Sequence, residues 1–395
     1  TNGGLEYSDC YLYDNDARVV FSFGRDAIDS NAGAANYVRV ADARFTDGRW
    51  HIDLVDEETG KTFCCRADTF VNACGPEADT LNGLAEVTTE HRHVFSKGIH
   101  LIVNRVTDSK RILTSFASDG RLYFAIPMGA RTCIGTTDTR DESWETDVSE
   151  EDRQFVLDNA NVLLDLDKPL TRDDIIAERC GVRPLVVSGG GNEDGVDWIE
   201  LSRKHAIDVD GEQRQITIFG GKITDCLNVG DEVCEHLQRL GVTLEHAGLV
   251  WYGEPGAEAK AEFLRQARLM DLDRFTHPNS TEPLTERFWR RYGANAIGML
   301  ERIRERPELS EPLTANNDYL RCEIEYTARR EMVTRLEDFL RRRSKITQVV
   351  REDDVIGTPG LREACEIFFG DRAEEKIAEY LEQNPPQPEA SRLAG

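Results

Sequence analysis

Along the first 88 residues the apolar positions shift between helical and alternating spacing. Residues 17–28, ARVVFSFGRDAI, predict a helix, with Asp16 placed to cap its start. Residues 50–55, WHIDLV, alternate as a half-buried strand does, and Glu57–Lys61 turns the chain into a second alternating run at 62–67. Together they predict a hairpin. The short run from Phe70 to Cys74 stops at Gly75-Pro76 and fits a strand inside a parallel sheet.

From about 89 to 205 strand patterns dominate, at 99–103, 122–126 and 132–135. One polar helix is expected over roughly 149–165, and SGGGN at 188–192 is expected to be a loop. Residues 206–242 return to strand, Gly-Gly turn and helix. Beyond about 255 the chain is mostly helical. Leu320, Ile324, Ala328, Met332, Leu336 and Phe339 recur three or four apart and mark one buried face across 318–343. The run Arg341-Arg342-Arg343 is expected to be a solvated helix end, and NPPQPEASRLAG a disordered tail.

The chain has 395 residues, enough for two or three domains, and its 39% hydrophobic content can fill their cores. A net charge of −25 argues against non-specific binding to nucleic acid or to anionic lipid. The arginine-rich, lysine-poor balance suits either a salty cytoplasm or a GC-rich genome. Ten cysteines without any C-x-x-C spacing read as reduced, mostly structural thiols in a cytosolic protein, with no metal site. No apolar run reaches the ~18 residues of a membrane span. The opening TNGGLEYSDC reads as the interior of a longer protein.

Four short stretches carry chemistry. FGGKIT at 219–224 sets two glycines and Lys222 at the mouth of a helix, as an anion cradle does, but lacks the spacing of a nucleotide triphosphate loop. In GVRPL, at 181–185, Pro184 holds Arg183 extended, suited either to clamping an anion or to pairing with one of the many acids. His100 follows Lys97-Gly98-Ile99 on a strand, and Gly135–Thr139 ends another strand with hydroxyls and Asp138. Ser202–His205 gathers three basic residues, as a second anion contact or a solvated turn.

In order along the chain, EYSDC, DARVV, NYVRV, FVNACGP, KGIHL, IGTTDT, TRDDII, GVRPL, FGGKIT and LEDFLRRR resemble the FAD-dependent glycerol-3-phosphate dehydrogenases over nearly the whole sequence. The resemblance implies a mixed α/β and α+β fold. Residues 1–88 and 206–242 would form part of a Rossmann-like FAD domain, 89–205 an antiparallel substrate domain, and 243–395 a helical C-terminal domain. It implies oxidation of sn-glycerol 3-phosphate, with electrons passed to quinone. Arg183 and Arg203 would contact substrate, His100 would be the base, and Thr137 and Asp138 would shape the pocket. Gly75, Gly220, Gly221, Lys222, Ile223 and Thr224 would contact FAD. A peripheral contact with the inner face of the cytoplasmic membrane and a homodimer are compatible with it.

The sequence departs from the family in two respects. It has no G-x-G-x-x-G turn for the FAD pyrophosphate, and Asp225-Cys226-Leu227 replaces the usual Thr-Tyr-Arg. Three rivals are a glycerophosphate oxidase, an inactive folded fragment serving as a binding module, and an amine or amino-acid oxidase, which the phosphate-type arginines and KGIHL argue against.

Overall fold

A computed structural model describes residues 4–8, 12, 15–188, 204–246, 248, 253–278, 280–314 and 317–384. The chain is a mixed α/β structure with a helical C-terminal domain, and the β-rich part holds three sheets. The tail, Arg203 and the glycines of the 188–192 loop lie outside the described residues.

The first helix, α1 (Asp16–Asp29), starts one residue earlier than expected for an Asp16 cap: Asn15 takes that role, its side chain accepting from the Ala17 amide at 2.9 Å. The reason is tertiary. The Asn15 amide group also donates to the carbonyls of Arg341 and Ser344 at 2.7 and 2.8 Å, fastening the helix start to the C-terminal domain. Strands β1 (Val38–Thr46), β2 (Arg49–Asp56) and β3 (Thr62–Ala67) form an antiparallel sheet that includes the expected hairpin. Trp50 is fully buried and donates to the Gln213 carbonyl at 2.7 Å, which joins this sheet to the next.

Strand β4 (Phe70–Asn72) leads through the Gly75 turn into α2 (Ala78–Leu84). The large sheet comprises β5 (His91–Asn104), β6 (Leu113–Phe116), β7 (Leu122–Met128), β8 (Arg131–Gly135), β9 (Thr139–Asp141) and β10 (Ala177–Ser188). Its order is β10-β5-β8-β7-β6, with β9 also on β5. Every pairing in it is antiparallel. Helix α3 (Glu150–Leu163) starts in a Ser149–Asp152 capping box and packs Val156, Leu157 and Ala160 against Ile99, Leu101, Val103 and Ile134. Because side chains alternate across a strand, His100 and its even-numbered neighbours on β5 point to the opposite face.

Strands β11 (Ala206–Asp210) and β12 (Gln215–Phe219) form a hairpin, and β12 pairs with β4 in parallel, Thr217 opposite Asn72. A 3₁₀ turn at Ile223–Asp225 then enters α4 (Cys226–Arg239).

The C-terminal domain includes α5 (Ala257–Leu269), α6 (Leu284–Tyr292), α7 (Asn295–Glu305) and α8 (Arg321–Arg330). The expected continuous face over 318–343 is interrupted. The chain leaves α8 at Glu331, passes Met332 at φ +48°, and resumes as a π-helical turn at Asp338–Arg343. Leu320 packs in one core cluster, while Ile324, Leu336 and Phe339 pack in a second. The arginine run is not a solvated end either. Arg343 is buried, its Nε donates to the Glu331 carbonyl at 2.8 Å, and its guanidinium lies 4.1 Å from the Phe21 ring centre. The described cysteines are all free, but Cys64, Cys65, Cys74 and Cys234 are exposed, so burial accounts for fewer of them than expected.

Candidate functional site

On the face of the large sheet opposite α3, the β5–β10 register sets Arg179 opposite His100, Gly181 opposite Gly98 and Arg183 opposite Ser96. The facing glycines open a trough, and the Arg183 guanidinium lies in it. A Cβ on Gly98 would come within 2.2–2.5 Å of the guanidinium atoms. Proline at 184 is tolerated because β10 ends the sheet order, where a missing amide costs no ladder bond on the outer side. Arg183 donates to the Thr136 hydroxyl at 3.0 Å and the Thr137 carbonyl at 3.3 Å, with Asp138 Oδ1 at 3.7 Å. Its side chain is 28% exposed.

Thr137 sits behind this cluster. It is buried, and its hydroxyl accepts from the Ile99 amide at 3.0 Å, so it braces the site instead of facing a ligand. Asp138 accepts from Ser96 and stands beside Arg183. His100 is pinned from β8: a Cβ on Gly135, at φ +151°, would meet the Ile99 carbonyl at 2.8 Å and the His100 ring at 2.9 Å. Burial, and then the charges of Arg179 and Arg183, push the His100 pKa down to about 4. The imidazole is therefore neutral at pH 7 and able to accept a proton.

The FGGKIT turn abuts the same sheet. A Cβ on Gly220 would strike the Val186 side chain at 2.4 Å, three residues past Arg183 on β10. The Gly220 amide donates to Nε2 of buried His93 at 2.9 Å. That leaves the His93 ring proton on Nδ1, 3.3 Å from Asp79, an attraction outside hydrogen-bond geometry. Gly220 therefore has no amide to spare for a cofactor, whereas Gly221 and Ile223 lead into the start of a helix. Lys222 and Thr224 are exposed, and Lys222 makes no hydrogen bond or ion pair among the described residues. His205 stands behind the turn, Nδ1 at 3.0 Å from Asp225 and Nε2 at 3.1 Å from Glu232.

Gly75 follows β4 by three residues and Gly220 follows Thr217 of β12 by three, so both leave the carboxyl ends of parallel neighbours. Ligands of open α/β sheets bind at such ends. Both glycines have positive φ, +58° and +61°, and a Cβ on Gly75 would meet only open space. Asn72 locks this turn by donating to the Ala78 carbonyl and to Asn82, which also accepts from Thr217. This end of the sheet presents an open glycine turn, a helix start and an exposed cation, a fit for the electron-rich edge of a flavin ring.

The description FAD dependent oxidoreductase matches residues 1–215, more than half of the chain. The chain belongs to this family. As a family member it is an FAD-dependent oxidoreductase, and residues 255–355 match the C-terminal domain of alpha-glycerophosphate oxidase. It is 27% identical over 353 residues to the aerobic glycerol-3-phosphate dehydrogenase of Escherichia coli, covering 87% of this chain and 67% of that protein. It is 28% identical over 350 residues to the D-erythritol 1-phosphate dehydrogenase of Brucella abortus, with the same coverages. Among solved structures, the glycerol-3-phosphate dehydrogenase of Bacillus halodurans complexed with FAD matches at a TM-score of 0.69 and 26% identity, covering 93% of this chain and 71% of that one. Against a glycerol-3-phosphate dehydrogenase 2 of Mycobacterium tuberculosis the chain spans 57% of the relative's length.

The structure thus brings His100, Arg183 and Asp138 together on one face, with the Gly220–Lys222 turn against the same strand. Sequence reasoning missed His93, Arg179 and Ser96. The β5–β10 register would have found the last two, since each sits opposite a recognised residue.

Proposed function

We propose that this family member oxidises a phosphorylated polyol, sn-glycerol 3-phosphate, to dihydroxyacetone phosphate and passes the electrons to a quinone. The observation that carries this reading is the Arg183 guanidinium seated in the Gly98–Gly181 trough beside a neutral His100. Arg183 offers the substrate phosphate donors in a fixed fork. Arg203, by resemblance, is the second phosphate ligand.

His100 accepts the hydroxyl proton as the alcohol carbon becomes a carbonyl. Burial first, and then the two guanidiniums beside it, weaken its basicity. A dianionic phosphate on Arg183 offsets the guanidinium part of that effect, so substrate itself raises the base in part. Bound FAD supplies the hydride acceptor. Lys222, the amides of Gly221 and Ile223, and the Gly75 turn would hold the electron-rich edge of the flavin, where their positive ends would favour negative charge.

The domain division is part of this reading: 1–88 with 206–242 around the flavin, 89–205 over the substrate, and 243–395 as the helical cap. No described helix is long and apolar enough to cross a membrane, and we assign quinone access to a peripheral contact. The match of residues 255–355 favours a second reading, a glycerophosphate oxidase that reduces oxygen. Peroxide formed in step with substrate oxidation would select it. The substrate assignment is tested in the FAD-loaded enzyme with Arg183→Ala, expected to lower kcat/KM about 100-fold or more, mainly through KM. Unchanged efficiency would overturn it. D-erythritol 1-phosphate, run alongside, tests the polyol.

A further inference from the structure

A polar cleft opens between the connection at Val87–Glu90 and the β11–β12 hairpin. The hairpin register sets Asp208 opposite Thr217 and Asp210 opposite Gln215, so these four side chains share one face. Glu90, Asp208 and Asp210 line the cleft, and among the described residues no lysine or arginine does. Arg92 follows His91 on β5 and points to the opposite face.

His91 stands beside this cleft at the start of β5. Its amide donates to Asp208 Oδ2 at 2.9 Å, and its Nδ1 lies 2.7 Å from Asp208 Oδ1. The backbone thus fixes the carboxylate, and an oxygen and an imidazole nitrogen are set side by side. Glu90 places a carboxylate oxygen within 4.8 Å of both partners. Its side chain is exposed and makes no hydrogen bond or ion pair among the described residues, so a rotamer change can swing it inward. Metal bonds of about 2.0–2.2 Å leave ligand atoms roughly 3–3.5 Å apart.

A second observation points the same way. Gln215 is 1% exposed, and its Nε2 donates to Asn82 at 3.1 Å, but its Oε1 has no partner among the described residues. A buried acceptor left unpaired is costly. Ionised Asp208 and Asp210 have no proton to offer it, and the Thr217 hydroxyl donates to Asn82.

We propose that Glu90, His91 and Asp208 bind one divalent transition cation of the zinc class. An imidazole with two carboxylates suits such an ion better than calcium or magnesium, which favour oxygen alone. The imidazole takes its Nε2–H tautomer, and the ion replaces the proton between Nδ1 and Asp208. Three protein ligands leave a position for water, which supplies the donor that Gln215 lacks. The ion ties the start of β5 to a hairpin 117 residues further on, whose last residue, Phe219, leads into the Gly220 turn. The set contains no cysteine, so cysteine spacing carries no sign of it, and it does not rest on the proposed function.

The test is calorimetric titration of the chelator-stripped chain with zinc chloride. A Cys64→Ser, Cys65→Ser background removes the exposed adjacent thiols, which bind zinc themselves. One saturable equivalent should bind, weakened about tenfold or more in Glu90→Gln and further in His91→Gln. If His91→Gln fails to fold, Glu90→Gln decides, since its side chain is exposed. The site is overturned if no saturable equivalent binds. It is also overturned if binding survives both substitutions unchanged, which would mean an adventitious ion only. Calcium bound as tightly as zinc would overturn the transition-metal class.

Discussion

The two halves of the candidate site are built in opposite ways. On the large sheet, side chains do the work: Arg179 and Arg183 crowd His100, glycines make room for them, and the local field is positive. At the Gly220–Lys222 turn the backbone does the work, and the histidine behind it, His205, lies between two carboxylates. One histidine is thereby pushed towards neutrality and the other towards charge. In the proposed function, the sheet half would meet an anion and accept a proton. The turn half would keep its own backbone in place beneath a cofactor. Substitutions that are mild in one half should therefore be severe in the other.

Glycines give the sharpest separation. At Gly135 an added Cβ meets a backbone carbonyl at 2.8 Å, and neither strand can retreat cheaply. Gly135→Ala should cost about 2–3 kcal/mol in chemical denaturation and displace His100 as well. A loss within error would show that β8 does not pin the ring. At Gly98 the obstacle is the end of a flexible side chain, so Gly98→Ala should leave the denaturation midpoint nearly unchanged. It should still weaken binding of glycerol 3-phosphate roughly tenfold or more, by lifting the guanidinium out of its trough. Parallel losses of stability and affinity at Gly98 would erase the distinction drawn here.

The same contrast explains what could be read from the sequence. The strands, the 50–67 hairpin, the helix near 150 and the Gly-Gly turn into a helix follow from local spacing, which is a one-dimensional property. Arg183, His100 and the FGGKIT turn were legible because proline and glycine constrain the backbone wherever they occur. Their partners were not. Arg179 and Ser96 gain meaning only through the pairing of β10 with β5, and His93 only through a bond to Gly220, 127 residues away. Thr137 carries the hydroxyl expected of a pocket residue, but Ile99 claims it. The interruption at Glu331–Arg335 escaped notice because the apolar spacing continues across it, while the buried Arg18–Glu331 pair, at 2.7 Å, fixes where the helix stops.

Titration separates the halves by sign. His100 has a pKa of about 4 in the folded chain, below the ordinary histidine value near 6.5. The unfolded chain thus binds the extra proton more readily between these values. Stability contributed by His100 is complete above about pH 6.5 and is lost as pH falls towards 4, amounting to roughly 3 kcal/mol. His100→Asn should flatten that part of the stability profile. A wild-type slope that survives the substitution would place its origin elsewhere, among the acids.

His205 should show the reverse, and a smaller effect. Burial disfavours its charge, but the Glu232 and Asp225 carboxylates outweigh burial and raise its pKa. The folded chain therefore holds this proton more tightly than the unfolded chain. The contribution is complete below about pH 6.5 and is lost as pH rises through the folded pKa. Glu232 is largely exposed, so the pairing is worth no more than about 1 kcal/mol. Its consequence is local. A Cβ on Gly221 would stand 3.2 Å from the His205 Cβ, so the histidine backs directly onto the turn that carries Lys222. Amide exchange at Gly221 and Ile223, corrected for intrinsic rate, should quicken from pH 6 to 8 in the wild type. In His205→Asn it should be insensitive to pH over that range. Equal pH dependence in both proteins would mean that the turn is held by the bond from the Gly220 amide to His93 and not by His205.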